Sequence, residues 1–253
     1  FSTTYDRGEE GYLCTDPMIM LLTPSWYRQF KETIDSRPNS VVKLIENTAN
    51  KKGIENFLGT AFYLNGALGA TFNTKEVSIS ASVLVHKPDF SNLPEIQVPV
   101  MNPDIVRWML LMGQMDKPTT DDEEIIYNLY YKFFSAAMPK AKLLIPLNAT
   151  SGFPDKSQGV NSFVLKEDAK FSIPVREGKD GRNSVPVFTD WKRLRMVFDE
   201  KWNGMIEEAG GMIEGFDYAI NPTEFYEAGA YVSITTFKEM QKLSEELEGR
   251  TQD

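Results

Sequence analysis

The sequence predicts an α+β fold, and three patterns support that prediction. Apolar side chains recur every four residues after Thr23, and Thr23 followed by Pro24 is typical of a helix start. Residues 77–85 alternate apolar and small polar side chains, as a strand with one buried face does. Predicted helices and strands are interleaved along the chain, but without the strict strand-helix-strand rhythm of a doubly wound sheet. We therefore expect mixed sheets with helices packed against them.

The first part of the chain combines predicted helices with predicted strands. One helix begins at Pro24 and places Trp26, Phe30 and Ile34 on the same face. Another begins at Asn102-Pro103 and is apolar on most sides, so we expect it to be buried. The strands predicted here, from β-branched or alternating residues, cover 40–45, 59–64, 77–85 and 96–100.

The second part repeats this mixture. A helix predicted from Asp121 to Met138 carries two adjacent apolar stripes, and so wide an apolar face requires a sheet to pack on. A shorter helix is predicted from Asp190 to Asp199, and a last one from Thr236, which has the capping-box spacing to Glu239. The strands predicted in this part cover 141–147, 161–166, 170–175, 184–189, 216–220 and 231–234.

The acidic, proline-containing segment 115–124 is the predicted domain boundary. We expect residues 1–116 to form an α+β domain of unrecognised type and residues 117–253 to form a second α+β domain. Two pairs of similar short motifs raise the question of whether the two halves arose by duplication. Leu22-Thr-Pro-Ser-Trp26 resembles Phe188-Thr-Asp-Trp191, and Met101-Asn-Pro103 resembles Ile220-Asn-Pro222. Motifs this short leave the question open.

Composition excludes several classes of function. The chain has 253 residues and a net charge of −9, and it lacks the clustered lysines and arginines of a nucleic-acid surface. Its longest apolar runs, such as 108–112, fall far short of the roughly 20 residues that a membrane span needs. The single cysteine, Cys14, and the single histidine, His86, exclude an intrachain disulfide and a multi-histidine metal centre. We expect no nucleic acid, membrane, metal or cofactor partner and a cytoplasmic location, with a removed leader left open.

The order of elements in the second part resembles a known family. The helix 121–138, the strand containing Ile145-Pro-Leu147, the run Val185-Pro-Val-Phe-Thr189 with its helix, and Phe216-Asp-Tyr-Ala-Ile-Asn-Pro222 occur in the order and spacing of the SseB (enhanced serine sensitivity) protein family. The resemblance is to the N-terminal domain of that family and covers about residues 121–235. It implies a compact bacterial α+β domain and brings with it no activity, cofactor or catalytic residue.

The candidate recognition site is a polar corner where two predicted strands end. It consists of Thr189, Asp190, Trp191, Asn221 and Pro222. Asn before Pro is driven toward extended geometry and can bond nearby backbone, while Thr189 or Asp190 can cap the following helix. These roles can be purely structural, or the corner can form one wall of a recognition groove, with Phe225 and Tyr226 close in sequence.

Other candidates for chemistry have simpler explanations. His86 is expected in a solvated loop, because no orienting partner for a general base is visible. Cys14 lies near Asp16, whose charge would raise the pKa of the thiol. Gly204, Gly210, Gly211 and Gly215 fit no phosphate-binding motif and are interpreted as turns and helix ends. Adjacent acids on a helix point about 100° apart, so pairs such as 207–208 do not converge on an ion.

The functional hypothesis follows from the missing catalytic motifs. We expect a protein that is not an enzyme and that binds a protein or a small-molecule ligand. The alternative left open is a carboxylate- or metal-dependent enzyme with a site between the two halves. Homo-oligomerisation is also left open, since 11 methionines and 16 phenylalanines can form an adaptable contact surface as well as a core.

Overall fold

The computed structural model has the predicted α+β architecture. It describes residues 5–8, 11–14, 16–36, 42–74, 77–115, 117–151, 170–177, 181–211, 215–223 and 228–250. Contacts divide the chain into two compact units. Unit 1 comprises Phe1–Pro88 and Val106–Tyr130, and unit 2 comprises Asp89–Ile105 and Tyr131–Asp253. The predicted boundary between residues 116 and 117 stays a prediction.

The elements that begin before residue 121 are, in chain order, β1 (Tyr5–Gly8), β2 (Gly11–Cys14), β3 (Met18–Leu21), α1 (Pro24–Asp35), α2 (Gly53–Gly59), β4 (Gly69–Phe72), β5 (Ser78–Ser80), α3 (Ala81–Leu84) and α4 (Pro103–Met115). The later elements are α5 (Asp121–Ala137), β6 (Lys142–Ser151), β7 (Lys170–Ser172), β8 (Arg176–Glu177), β9 (Asn183–Val187), α6 (Trp191–Val197), β10 (Asn203–Glu208), β11 (Asp217–Ile220), β12 (Ala230–Val232) and α7 (Ile234–Arg250).

Unit 1 is built around a small mixed sheet of order β3-β4-β5. β3 and β4 are parallel, and β5 returns antiparallel to β4. The core beside the sheet is apolar and comes from α2, the π-helical turn Thr60–Leu64 that continues it, and β4. Phe62 and Ala70 are almost completely buried there. α1 begins as predicted, with the Thr23 hydroxyl accepting a hydrogen bond from the Trp26 amide.

Unit 2 contains two sheets of orders β10-β6-β7 and β12-β11-β9-β8. β6 is buried from Leu143 to Leu147, which means that both of its faces are covered. Just after β9, Phe188 exchanges two backbone hydrogen bonds with Leu144 of β6, each 2.8 Å long, and this bridge joins the two sheets. Leu144 and Phe188 belong to one core cluster with Val100 and Leu194.

Several helices and strands confirm the sequence predictions. α1, α4, α5 and α6 lie where predicted, within a few residues, and so do β6, β9, β11 and β12. The predicted strand 170–175 is confirmed only over 170–172. The predicted strand 161–166 lies outside the described residues.

The strand predictions of the first part are largely wrong. Residues 59–64 are helical, because the Asn47 side chain accepts the Ile54 amide at the start of α2 and the apolar residues then bury one helical face. The alternating run 77–85 is a strand only over Ser78–Ser80 and then turns into α3. Its alternation does not mark a buried face, since Val83 is 75% exposed. The described part of 40–45 is not a strand, and Glu95–Gln97 forms a 3-10 turn.

Two details of the second part also differ from prediction. The last helix begins at Ile234, and the Ser233 hydroxyl accepts the Thr236 amide at 3.1 Å, so the predicted capping box at Thr236 is wrong. Strand β10 was missed, because Gly204 within it was interpreted as a turn. That glycine is required by packing, because a Cβ on it would be 2.7 Å from the Trp191 indole.

Candidate functional site

The predicted corner lies where two parallel strands of unit 2 end. β9 and β11 are parallel neighbours, with Val187 opposite Ile220 in the last register pair. Thr189 and Asp190 follow β9, and Asn221 follows β11, so all three emerge at the same edge of the sheet. The sequence separates Thr189 and Asn221 by 32 positions, and the parallel pairing brings them into contact. Carboxyl ends of parallel strands are the usual place for ligand sites in open sheets.

Asn221 is the centre of this corner. Its side-chain oxygen accepts from the Thr189 amide at 3.0 Å, and its side-chain nitrogen donates to the Ala228 carbonyl at 2.8 Å and to the Thr189 hydroxyl at 3.0 Å. Its own amide donates to the Val187 carbonyl at 2.8 Å. The predicted extended geometry is wrong: Asn221 has φ of 45°, in the left-handed region that asparagine tolerates better than most residues. The side-chain hydrogen bonds offset that strain.

Thr189 and Asp190 extend the same network toward α6. One oxygen of Asp190 accepts a hydrogen bond from the Arg193 amide at 3.0 Å, so Asp190 is the N-cap of α6. Of the two predicted caps, Thr189 and Asp190, it is therefore Asp190 that caps the helix. The other oxygen accepts from the Thr189 hydroxyl at 2.9 Å and pairs with the Arg193 guanidinium. Thr189, Asp190 and Asn221 are 0%, 2% and 2% exposed. Their polar atoms are therefore committed to each other and to neighbouring backbone.

Three partners of the corner were not predicted from the sequence. Asn102, which precedes α4, donates from its side chain to the Thr189 carbonyl at 2.8 Å and to the Lys142 carbonyl at 2.6 Å. Arg193 was not among the predicted corner residues, yet it pairs with Asp190 and its side chain is only 13% exposed. The third partner is the Ala228 carbonyl, which accepts a hydrogen bond from the Asn221 side chain. Asn102 was identified from the sequence only as a helix start and as part of a motif similar to the one around Asn221, and local sequence gives no signal for contacts between segments so far apart.

Trp191 and Pro222 differ from the other three corner residues because they are only half-buried. The Trp191 indole lies on β10, where a Cβ atom added to Gly204 would be 2.7 Å from its Cη2 atom. The Arg195 guanidinium carbon is 5.1 Å from the centre of the Trp191 ring. Gly204 is thus needed so that the indole can sit against the strand. Phe225 and Tyr226 lie outside the described residues.

A second buried carboxylate lies at the other end of β11. Asp217 accepts the Ile234 amide at 2.8 Å and the Tyr231 hydroxyl at 2.5 Å, and it is 2% exposed. It therefore anchors the first turn of α7 to the sheet. Beside it, burial raises the pKa of Tyr218, and the charge of Asp217 acts in the same direction.

The remaining candidates from the sequence are dispersed. His86 lies in an exposed loop, as expected, and Cys14 is the last residue of β2. Gly210 and Gly211 lie in a 3-10 turn after β10, and Gly215 has φ of 88°, as a turn glycine can. In the described part of the chain, no group of three or more His, Cys, Asp or Glu side chains is arranged to hold a metal ion. Nor do the described helices include one long and apolar enough to cross a membrane.

Comparison with known proteins agrees with the resemblance inferred from the sequence. The family model of the SseB protein N-terminal domain matches residues 130–209. This match lies within the predicted range of 121–235 and includes β6, β9, α6 and β10. It contains Thr189, Asp190 and Trp191 and ends before Asn221. The chain matches no curated protein and no solved structure.

Proposed function

We propose that the protein is a bacterial, cytoplasmic binding protein that is not an enzyme, and that the corner formed by Thr189, Asp190, Trp191, Asn221 and Pro222 is one wall of its binding site. The ligand is a protein or a small molecule. In this proposal Thr189, Asp190 and Asn221 form a rigid frame. Trp191 and Pro222 supply the surface that the ligand contacts.

One observation carries the proposal: the polar side chains of the frame are buried and hydrogen-bonded to each other. A general acid or base must reach its substrate within hydrogen-bond distance. Asp190 is 2% exposed, and each of its oxygens already accepts a hydrogen bond from the protein. A carboxylate in this position is better suited to a structural role than to proton transfer. A partly accessible tryptophan held by a rigid frame suits recognition, because it loses little side-chain entropy on binding.

The test compares two variants on α6. Tagged full-length wild type, Trp191→Ala and Met196→Ala are each used to capture ligands from native cells, with proteins and small molecules both identified by mass spectrometry. Met196 is the matched control, because it is an apolar side chain on the same helix and is 56% exposed. We expect Trp191→Ala to lose the captured ligand and Met196→Ala to keep it, with both variants folded at the temperature used.

Two outcomes would contradict the proposal. A ligand retained equally by all three proteins would remove the corner from the binding site. Turnover of a substrate by the purified protein, lost on substitution of surface carboxylates, would favour the enzyme alternative. Self-association stays a prediction, and sedimentation of the full chain tests it.

A further inference from the structure

Unit 1 contains a second corner with the geometry of the first. β3 and β4 are parallel and end together, with Leu21 opposite Phe72. Thr23 follows β3, and Asn73 follows β4 with φ of 55°. The Asn73 side-chain oxygen accepts from the Thr23 amide at 2.9 Å and from its hydroxyl at 3.3 Å, and the Asn73 amide donates to the Leu21 carbonyl at 2.8 Å.

These contacts match those of unit 2 one by one. There the Asn221 side-chain oxygen is 3.0 Å from the Thr189 amide and 3.2 Å from the Thr189 hydroxyl, and the Asn221 amide donates to the preceding parallel strand at 2.8 Å. Among the described residues, Asn73 and Asn221 are the two non-glycine residues with positive φ. Each threonine leads into a helix, and each asparagine is followed by an antiparallel strand and another helix. The counterpart of Asn221 is therefore Asn73 and not Asn102.

The two corners differ in what the asparagine amide group contacts. In unit 2 it donates to the Thr189 hydroxyl and to the carbonyl of Ala228, a residue of the connection between β11 and β12. Gly229 in this connection approaches closely, since a Cβ added to it would be 3.1 Å from the Asn221 carbonyl oxygen. In unit 1 the segment between β4 and β5 is shorter, 73–77. Within the described residues, nothing accepts a hydrogen bond from the Asn73 amide group, and Thr23 is exposed.

We propose that the corner of Thr23 and Asn73 binds a backbone carbonyl of an extended segment from a partner protein. The Asn73 amide group would donate to that carbonyl as Asn221 donates to Ala228. The close approach of Gly229 implies that the residue after the bound carbonyl is small. Val77, which is 55% exposed and accepts the Phe72 amide, provides apolar surface beside the corner. This site lies at a different corner from the binding wall proposed above and does not depend on it.

The probe is a capped peptide with the sequence of residues 226–231, Tyr-Glu-Ala-Gly-Ala-Tyr, which contains the carbonyl that fills the corner of unit 2. It is titrated into ¹⁵N-labelled full-length protein, and the side-chain amide resonances of Asn73 are followed. We expect a saturable shift with a Kd on the order of 1 mM, the range of a short flexible ligand. A peptide with valine in place of the glycine should bind at least about tenfold more weakly, because the Cβ of a residue bound as Gly229 is would be in tight contact with the carbonyl oxygens at the strand end.

Two variants locate the contact. Asn73→Asp keeps the oxygen that accepts from Thr23 and removes the amide donor, so it should lose the peptide response. Asn47→Asp is the control, since Asn47 also accepts a backbone amide through its side-chain oxygen, that of Ile54. It should respond as wild type does. The wild-type titration is decisive even where a variant folds poorly: without a saturable shift at Asn73 the proposal fails. A response confined to the resonances of Trp191 would overturn it while supporting the binding wall of unit 2.

Discussion

The corners of the two units share the hydrogen bonds that the asparagine side-chain oxygen and backbone amide make, but their surroundings differ. Thr189 and Asn221 are almost completely buried, whereas Thr23 is exposed and Asn73 is half-buried. A hydrogen bond in water replaces another one, while a buried polar group that loses its partner bears the full cost of desolvation. The same local geometry is therefore a stability element in unit 2 and an accessible surface in unit 1.

The two corners also differ in which residue caps the helix that follows. In unit 1 the Thr23 hydroxyl both contacts Asn73 and caps α1. In unit 2 these tasks belong to two residues, Thr189 for the asparagine and Asp190 for the cap. The split introduces a buried carboxylate into unit 2, which in turn requires Arg193 as its partner. Unit 1 avoids that requirement because its cap is neutral.

The largest expected contrast comes from replacing each asparagine by aspartate. Asn221→Asp sets a carboxylate oxygen against the Ala228 carbonyl in a buried site, and we expect a loss of about 3–5 kcal/mol in the free energy of unfolding at pH 7. The loss should shrink as the pH falls, because a protonated carboxyl can donate to Ala228. Asn73→Asp keeps its acceptor contacts at an accessible site and should cost less than about 1 kcal/mol. Hydrogen exchange of the full chain, read separately in β9 and β3, measures both.

Equal losses at the two positions would show that burial does not distinguish the corners. The same conclusion would follow if Asn221→Asp left the free energy of unfolding unchanged. The hydrogen bond from the Asn221 amide group to the Ala228 carbonyl would then contribute nothing to stability. Asn47→Asp serves again as the control for introducing a negative charge into unit 1.

Removing the helix caps should give the next largest contrast. Asp190→Ala removes the buried ion pair with Arg193, the cap of α6 and the nearer acceptor of the Thr189 hydroxyl, and we expect a loss of about 2–4 kcal/mol. Thr23→Ala removes an exposed cap, for which about 1 kcal/mol is typical. Urea unfolding followed by circular dichroism, together with amide hydrogen exchange in α6 and α1, measures the two losses in the free energy of unfolding. A Thr23→Ala loss as large as that of Asp190→Ala would contradict the assigned roles.

A smaller difference in stability is expected from the packing of the tryptophan that follows each corner, Trp26 in unit 1 and Trp191 in unit 2. Trp26 packs against Phe30 of its own helix, with ring centres 4.5 Å apart, whereas Trp191 packs against Gly204 on a strand. Gly204→Ala should therefore displace the Trp191 indole, cost about 1–3 kcal/mol and change the tryptophan fluorescence. Gly249→Ala in α7 is the control, because a Cβ there has no neighbour within 4 Å and the substitution should be neutral or slightly stabilising. A fully stable Gly204→Ala would show that the indole is not held there.

Sequence reasoning succeeded where the signal was local. The starts of α1 and α6 follow from Thr23-Pro24 and from Asp190, because a cap acts on amides only two or three residues away. It failed at 59–64 and 77–85, where apolar residues can suit a helix or a strand and the packing partner decides between them.

The corner was only partly predictable for the same reason. Its residues in unit 2 were identified, since Thr189-Asp190 and Asn221-Pro222 are turn and cap signals. The left-handed backbone of Asn221 was not, because it depends on Ala228 and Thr189. The second corner was missed altogether. Leu22-Thr23 had been compared with Phe188-Thr189, but the matching asparagine lies 50 positions after Thr23 in a segment with no similar sequence.

The smallest contrast concerns one exposed carboxylate in each unit. A hydrogen bond from Lys31, supported by one from Tyr27, lowers the pKa of Asp35 on α1, and a hydrogen bond from Lys142 lowers the pKa of Glu95 in unit 2. A carboxylate with a lowered pKa in the folded state stabilises the fold above its unfolded pKa, and that contribution is lost as the pH falls through the folded value. Both groups are exposed, so the effect on stability is slight.

The difference between these carboxylates lies in the number of donors. Lys142→Gln should return the pKa of Glu95 to its ordinary range, because Lys142 alone lowers it. Lys31→Gln should leave the pKa of Asp35 partly lowered, because the Tyr27 hydroxyl still donates at 3.0 Å. The double variant Lys31→Gln with Tyr27→Phe should then remove the remainder. NMR titration of the side-chain carboxyl carbons measures each pKa directly. A full return for Asp35 in the single variant would exclude the tyrosine hydroxyl as a contributor and leave the two carboxylates equivalent.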